Sequence, residues 1–151
     1  MATQTLGARI KPKEDPRLIT GEAKYLDDVQ LPGMAYAAIL RSPYAHAKIK
    51  SIRTDKAAKL PGVVAVFTGQ DFKDLPPLPC AWQAEAGRIQ NNVNTPRVLE
   101  IDRVTHAGMG IAVVVAKDRY TAEDALNLIE VDYEPLPVVV DAEKTTQPGA
   151  P

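Results

Sequence analysis

The most regular pattern in the chain is IAVVVA at 111–116, an unbroken apolar run rich in β-branched residues. A glycine-containing turn, HAGMG, precedes it, and the pattern predicts a strand. Asp118 then stands where a helix N-cap belongs. In the following RYTAEDALNLI, Ala122, Ala125, Leu126 and Ile129 fall at i, i+3, i+4 and i+7, the face of a helix laid on a sheet. Glu123 and Asp124 take the solvated side.

Upstream, MAYAAILR at 34–41 follows the turn Leu31-Pro32-Gly33 and predicts a strand. AKIKSIR at 47–53, with Ile49 and Ile52 among polar neighbours, predicts an amphipathic one. Thr54 or Asp55 can cap a short helix, DKAAKL, which Pro61-Gly62 ends. VVAVFT at 63–68 predicts a strand buried on both faces. Downstream, VLEIDRV at 98–104 and EVDY at 130–133 predict further strands, the latter interrupted by Pro135 and Pro137 and resumed at 138–140. Two strand–helix–strand passages give an α+β or α/β domain with a mixed sheet. Around it lie an extended polar N-terminal arm at 1–30, a long irregular loop at 69–96 inside a domain at 31–142, and a linker-like C-terminus at 143–151. A loop of that length in a compact domain is usually functional or holds a partner.

Composition narrows the function. The 151 residues are 45% hydrophobic and 25% charged with a net charge of −1, as in a folded globular protein. Basic and acidic residues are mixed, so no stripe exists to neutralise a nucleic-acid backbone. The N-terminus lacks the apolar run of a secretory signal, and 111–116 is far too short to span a bilayer, so a cytoplasmic protein without membrane insertion is expected. One cysteine, Cys80, excludes an internal disulfide and any all-cysteine iron–sulfur or zinc site.

Candidate chemistry is sparse. His46 has no Ser or Asp at a spacing that would make it a general base, and reads as a histidine hydrogen-bonded at a strand junction or interface. Cys80, His46 and His106 lack the closely spaced pairs of a zinc site. Pro-Cys-Ala-Trp around Cys80 brings no positive charge to activate the thiol. Gly108 and Gly110 form a G-x-G that precedes a strand, where a dinucleotide fingerprint must follow one, so a tight turn with positive φ is the expected role. Arg41 could meet a carboxylate or phosphate bidentately or serve a structural ion pair or interface. Trp82 could anchor a partner or pack the loop. No catalytic, cofactor-binding or metal-ligating residue is assigned.

Four stretches, in one order, carry a resemblance: EDPRLITGEAKYLDDV at 14–29, LPGMAYAAILRSPYAHAKIKSI at 31–52, AAKLPGVVAVFTGQD at 57–71 and GMGIAVVVAKDRYTAEDALNLIEVDYEPLPVVVD at 108–141. Together they resemble the α/β-hammerhead domain at the N-terminus of the molybdenum hydroxylase large subunit, in the xanthine dehydrogenase, aldehyde oxidase and carbon monoxide dehydrogenase family. The second stretch is similar to that family's RSxxAHAxIxSI segment and contains Arg41, Ser42 and His46. The carbon monoxide dehydrogenase-like and aldehyde-oxidising members look nearest. A departure lies at Met109 and Gly110, where the family has a polar or acidic residue and then a small one or proline.

The resemblance implies an α+β hammerhead: one domain, a mixed sheet and two main helices. It implies a structural or assembly role, as an N-terminal domain or split subunit of a molybdopterin-dependent oxidoreductase that hydroxylates aldehydes, N-heterocycles or CO-like substrates. In the family a much longer region follows with the molybdopterin contacts and the glutamate beside molybdenum, so the chain alone is expected to be non-catalytic and free of cofactor. The implied partners are that remainder, with iron–sulfur and FAD subunits. Arg41, Ser42, His46, Trp82 and Gly108 are the candidate interface or motif residues. A stand-alone ligand-binding or interaction module on the same fold is the alternative. An independent hydrolase or transferase is disfavoured, because no nucleophile, base and orienting group stand together.

Overall fold

A computed structural model describes Gly7, Arg9 and residues 11–78 and 96–150. The chain forms two units, Met1–Met34 and Ala35–Pro151. In the first, where an extended arm is expected, α1 (Asp15–Ile19) makes little more than one turn. Pro16 in its first turn presets φ, and Asp15 sits favourably at the positive helix end. The Thr20 hydroxyl donates to the Pro16 carbonyl at 2.7 Å. Asp28 accepts the Tyr25 amide at 2.8 Å across a 3-10 turn, Leu26–Asp28. None of this unit's described residues is buried.

The second unit holds β1 (Tyr36–Arg41), β2 (Ala47–Arg53), α2 (Asp55–Ala58), β3 (Val63–Thr68), β4 (Arg103–Val104), β5 (Gly110–Ala116), α3 (Arg119–Leu126) and β6 (Glu130–Pro135). The α+β hammerhead expectation stands. The single mixed sheet does not: there are two three-stranded sheets, ordered β1-β5-β3 and β4-β2-β6, and every pairing is antiparallel. Helices α2 and α3 both pack on one face of the first sheet. There Ala57 and Ala125 meet Ala112, Val114 and Ile129, and Ala122 meets Ala38 and Ala116. The small residues let helix and sheet backbones approach closely. A second cluster, Ala47, Val104, Met109 and Ile111, with Leu40, Ile49, Val131 and Tyr133 around it, joins strands of both sheets.

Helix α3 starts as its sequence dictates. Asp118 accepts the Thr121 amide and hydroxyl, each at 2.7 Å, and these bonds, the amide's first, hold its carboxyl below the ordinary carboxylate value. The helix ends before Ile129, yet Leu128 and Ile129 bond back to the carbonyls three residues earlier, a tightened last turn that still buries Ile129.

Five local expectations are corrected. β3 is an edge strand rather than one buried on both faces, and Val64 is 68% exposed beside a register irregularity. Of 98–104 only Arg103 and Val104 form a strand; apolar Val98, Ile101 and Val104 recur every third residue rather than every second. The short helix spans only Asp55–Ala58, and Thr54 makes no side-chain cap bond. Residues 69–78 open with a 3-10 turn, Gly69–Phe72, capped by Asp71 on the Thr68 amide; the rest of the expected irregular loop through 95 lies outside the described residues. Val138, Val139 and Val140 form no strand: Pro135 and Pro137 have no N–H for the ladder with β2, and the chain leaves the sheet there.

Candidate functional site

Three of the singled-out residues meet at one junction. The Arg41 guanidinium donates to the Gly108 carbonyl at 2.8 Å. The Ser42 amide donates to the Met109 carbonyl and the Gly108 amide to the Ser42 carbonyl, both at 2.8 Å. Gly108 has φ +94°, as expected for the turn, whereas Gly110 has no positive φ. Gly110 is instead a close-packing position, since a Cβ there would lie 3.3 Å from both Ile39 and Leu99. The Thr105 amide points at the Met109 sulfur at 3.1 Å, so the departing Met109 holds the turn from inside.

Ser42 is the buried polar side chain of the junction. Its hydroxyl donates to the Tyr44 carbonyl at 3.1 Å and accepts the Tyr44 amide at 3.0 Å, fixing the turn into β2. The Tyr44 ring leans on Tyr133 with centroids 4.9 Å apart. Burial pushes the Tyr133 phenol above its ordinary value, and the Ser42 hydroxyl opposes this only in part. The Tyr133 oxygen has no partner at hydrogen-bonding geometry among the described residues. An unmet buried hydroxyl is a net cost. Tyr133→Phe is therefore expected to leave the fold unharmed or raise its stability by roughly 1 kcal/mol, measured by urea unfolding; a loss of that size would mean the hydroxyl is satisfied.

His46 lies beside this junction and ties β2 to the segment after β6. Its Nδ1 is 2.7 Å from the Pro137 carbonyl, and the Leu136 amide donates to the His46 carbonyl at 3.0 Å. A carbonyl only accepts, so Nδ1 carries the proton. Cys80 and Trp82 lie outside the described residues. His106, with Arg41, Arg97, Glu100, Gly108 and Met109, borders an open cleft of about 160 Å³. Among the described residues no three His, Cys, Asp or Glu side chains converge on a metal-sized position. No helix among them is long and apolar enough to cross a membrane. On the surface, Lys56 and then Arg53 bind the Glu130 carboxylate and hold it below its ordinary value.

The feature missed from the sequence is the second face of the first sheet. Register places Ile39, Val113 and Phe67 side by side, and Ala37, Val115 and Ala65 beside them, all pointing away from α2 and α3. Val113 and Val115 are half-buried, while Ala112, Val114 and Ala116 are buried and face the helices. Ile39 is 44% exposed, and Phe72 leans on Phe67 at 5.8 Å. The signal was present: an unbroken apolar strand is one meant to be covered on both faces.

Comparison with known proteins agrees with this architecture. The family model for the aldehyde oxidase and xanthine dehydrogenase a/b hammerhead domain matches residues 20–137. The carbon monoxide dehydrogenase large chain of Afipia carboxidovorans is 48% identical over 149 residues, covering 98% of this chain and 17% of that one. The xanthine dehydrogenase molybdenum-binding subunit of Escherichia coli is 40% identical over 83% of this chain and 16% of its own length. Among solved structures, reconstituted CO dehydrogenase from Oligotropha carboxidovorans superposes with a TM-score of 0.81 at 47% identity, over 96% of this chain and 17% of that one. Quinoline 2-oxidoreductase from Pseudomonas putida gives 0.79 at 40%, over 90% of this chain and 17% of that one. This chain thus spans about 17% of the length of such relatives. All six strands, α2 and α3 and the second and third sequence stretches fall within that match, the first and fourth stretches overlap it, and the chain belongs to the aldehyde oxidase and xanthine dehydrogenase family as its a/b hammerhead domain.

Proposed function

We propose that this chain is the N-terminal assembly domain of a molybdopterin-dependent oxidoreductase large subunit, of the carbon monoxide dehydrogenase-like kind, and is non-catalytic by itself. The observation that carries this is the half-buried apolar face of Ile39, Val113, Val115 and Phe67, turned away from α2 and α3, in a chain that spans about 17% of its relatives' length. A sheet face of this composition fits an interface with the rest of such a subunit. The complete enzyme would hydroxylate an aldehyde, an N-heterocycle or a CO-like substrate, with iron–sulfur and FAD subunits as further partners, in the cytoplasm. The molybdopterin, bound in the complete enzyme, would supply the hydroxylation chemistry. No reaction step is assigned to the residues of this chain. Arg41, Ser42 and Gly108 serve as the brace that fixes β1 against β5, and His46 as the tie to the segment after β6.

The test mixes the chain with the separately produced remainder of the Afipia carboxidovorans large chain and follows sedimentation velocity. A 1:1 complex is expected. Ile39→Lys, on a half-open edge-strand position, should leave the thermal midpoint nearly unchanged and weaken the complex at least tenfold. No complex with the unaltered chain would overturn the reading in favour of a free-standing module.

A further inference from the structure

Beyond the sheet face, the segment that follows β6 is built like a strand without a sheet. Three consecutive valines, Val138, Val139 and Val140, have among the highest β-propensities of any residues, yet they stand outside both sheets. Val138 is 48% and Val140 93% exposed. Among the described residues their backbone N–H and C=O groups make no hydrogen bond. The last anchors before them are Leu136 N–H on His46 and the His46 ring on the Pro137 carbonyl, which fix where the segment leaves the domain. The hammerhead match ends at 137, immediately before the first of these valines, and relatives that carry this domain are several times this chain's length.

We propose that residues 138–140 become a β-strand on assembly, pairing with an exposed strand edge in the remainder of the large subunit. Strand addition supplies backbone hydrogen bonds to groups that are now unpaired, and the valine side chains fit a pleated apolar surface. The anchors at His46 limit the entropy lost on docking, because the segment's origin is already fixed. His46 is then a positioning residue for the joint. An apolar, strand-prone segment of this kind is a liability when left free, which favours an occupant present in the working protein. The occupant is a strand of the same subunit's remainder rather than a second copy of this chain. This inference rests on the assembly role proposed above.

The test uses the full chain with the same Afipia carboxidovorans remainder. Hydrogen exchange on chain and complex should show amides at 138–140 open in the first and slowed at least tenfold in the second. In a strand, alternate residues bond to opposite sides. Of Val139→Pro and Val140→Pro, at least one should therefore weaken the complex tenfold or more, with the chain's own thermal midpoint unchanged. A complex that forms normally with both variants, without slowed exchange at 138–140, overturns the strand and leaves the assembly role standing. Failure of the unaltered chain to form any complex overturns both. Slowed exchange at 138–140 in the chain alone, rising with its concentration, overturns the stated occupant in favour of a second copy.

Discussion

Replacing Ile111 with alanine is expected to cost the domain about 2–5 kcal/mol, the range for emptying a large aliphatic site in a packed interior. Ile111 is fully buried at the start of β5, the central strand of its sheet. It packs with Ala47, Val104 and Met109, so its side chain belongs to the cluster joining strands from both sheets. Removing it opens a void between Val104 and Met109 and the surrounding Leu40, Ile49, Val131 and Tyr133. Urea unfolding measures the loss, with Val140→Ala as the exposed control, expected within about 0.5 kcal/mol. Equal small effects would mean that the two sheets do not share this core.

Gly69→Ala is expected to cost about 1–3 kcal/mol, from overpacking against a wall that cannot give way. A Cβ at Gly69 would lie 2.5 Å from the Glu100 carbonyl oxygen and 2.8 Å from Ile101. The obstacle is backbone, held by the Glu100 amide on the Gly110 carbonyl at 2.9 Å. The end of β3 and the segment leading to β4 must therefore separate. Gly108→Ala makes the comparison informative: it has φ +94° and nothing within 4 Å, so its cost is conformational only, about 1–2 kcal/mol. Thermal melts of both variants distinguish the causes. Gly69→Ala should also raise hydrogen exchange around 99–101, and Gly108→Ala should not.

Elements whose residues interact locally were legible in the sequence. Helix α3 was so because its cap, Asp118, and its buried face, Ala122 and Ala125, lie within one short segment. β5 was legible as a strand, but its covering was not: alternation cannot say which of Val113 and Val114 meets a helix when both are valine. β3 does not have the two buried faces its apolar run predicts, because such a run carries no information about a strand's place in the sheet order. The valines at 138–140 have strand propensity, yet propensity acts only where an edge is available, and prolines 135 and 137 had already released the chain from β2. The candidate site was legible only through resemblance. Arg41 and Gly108 are 67 positions apart, and their hydrogen bond follows from the pairing of β1 with β5 rather than from any spacing. The Ser42–Tyr44 turn is local, but the Tyr133 ring tilted against Tyr44 comes from β6.

The central claim is that this chain completes a molybdenum enzyme without holding its reactive centre. The direct measurement is molybdenum content by elemental analysis, in cells that make the cofactor. It is made on the chain alone and on the complex with the Afipia carboxidovorans remainder, alongside hydroxylase activity. Background metal and no activity are expected for the chain, and stoichiometric molybdenum with activity for the complex. Stoichiometric molybdenum on the chain alone would contradict it.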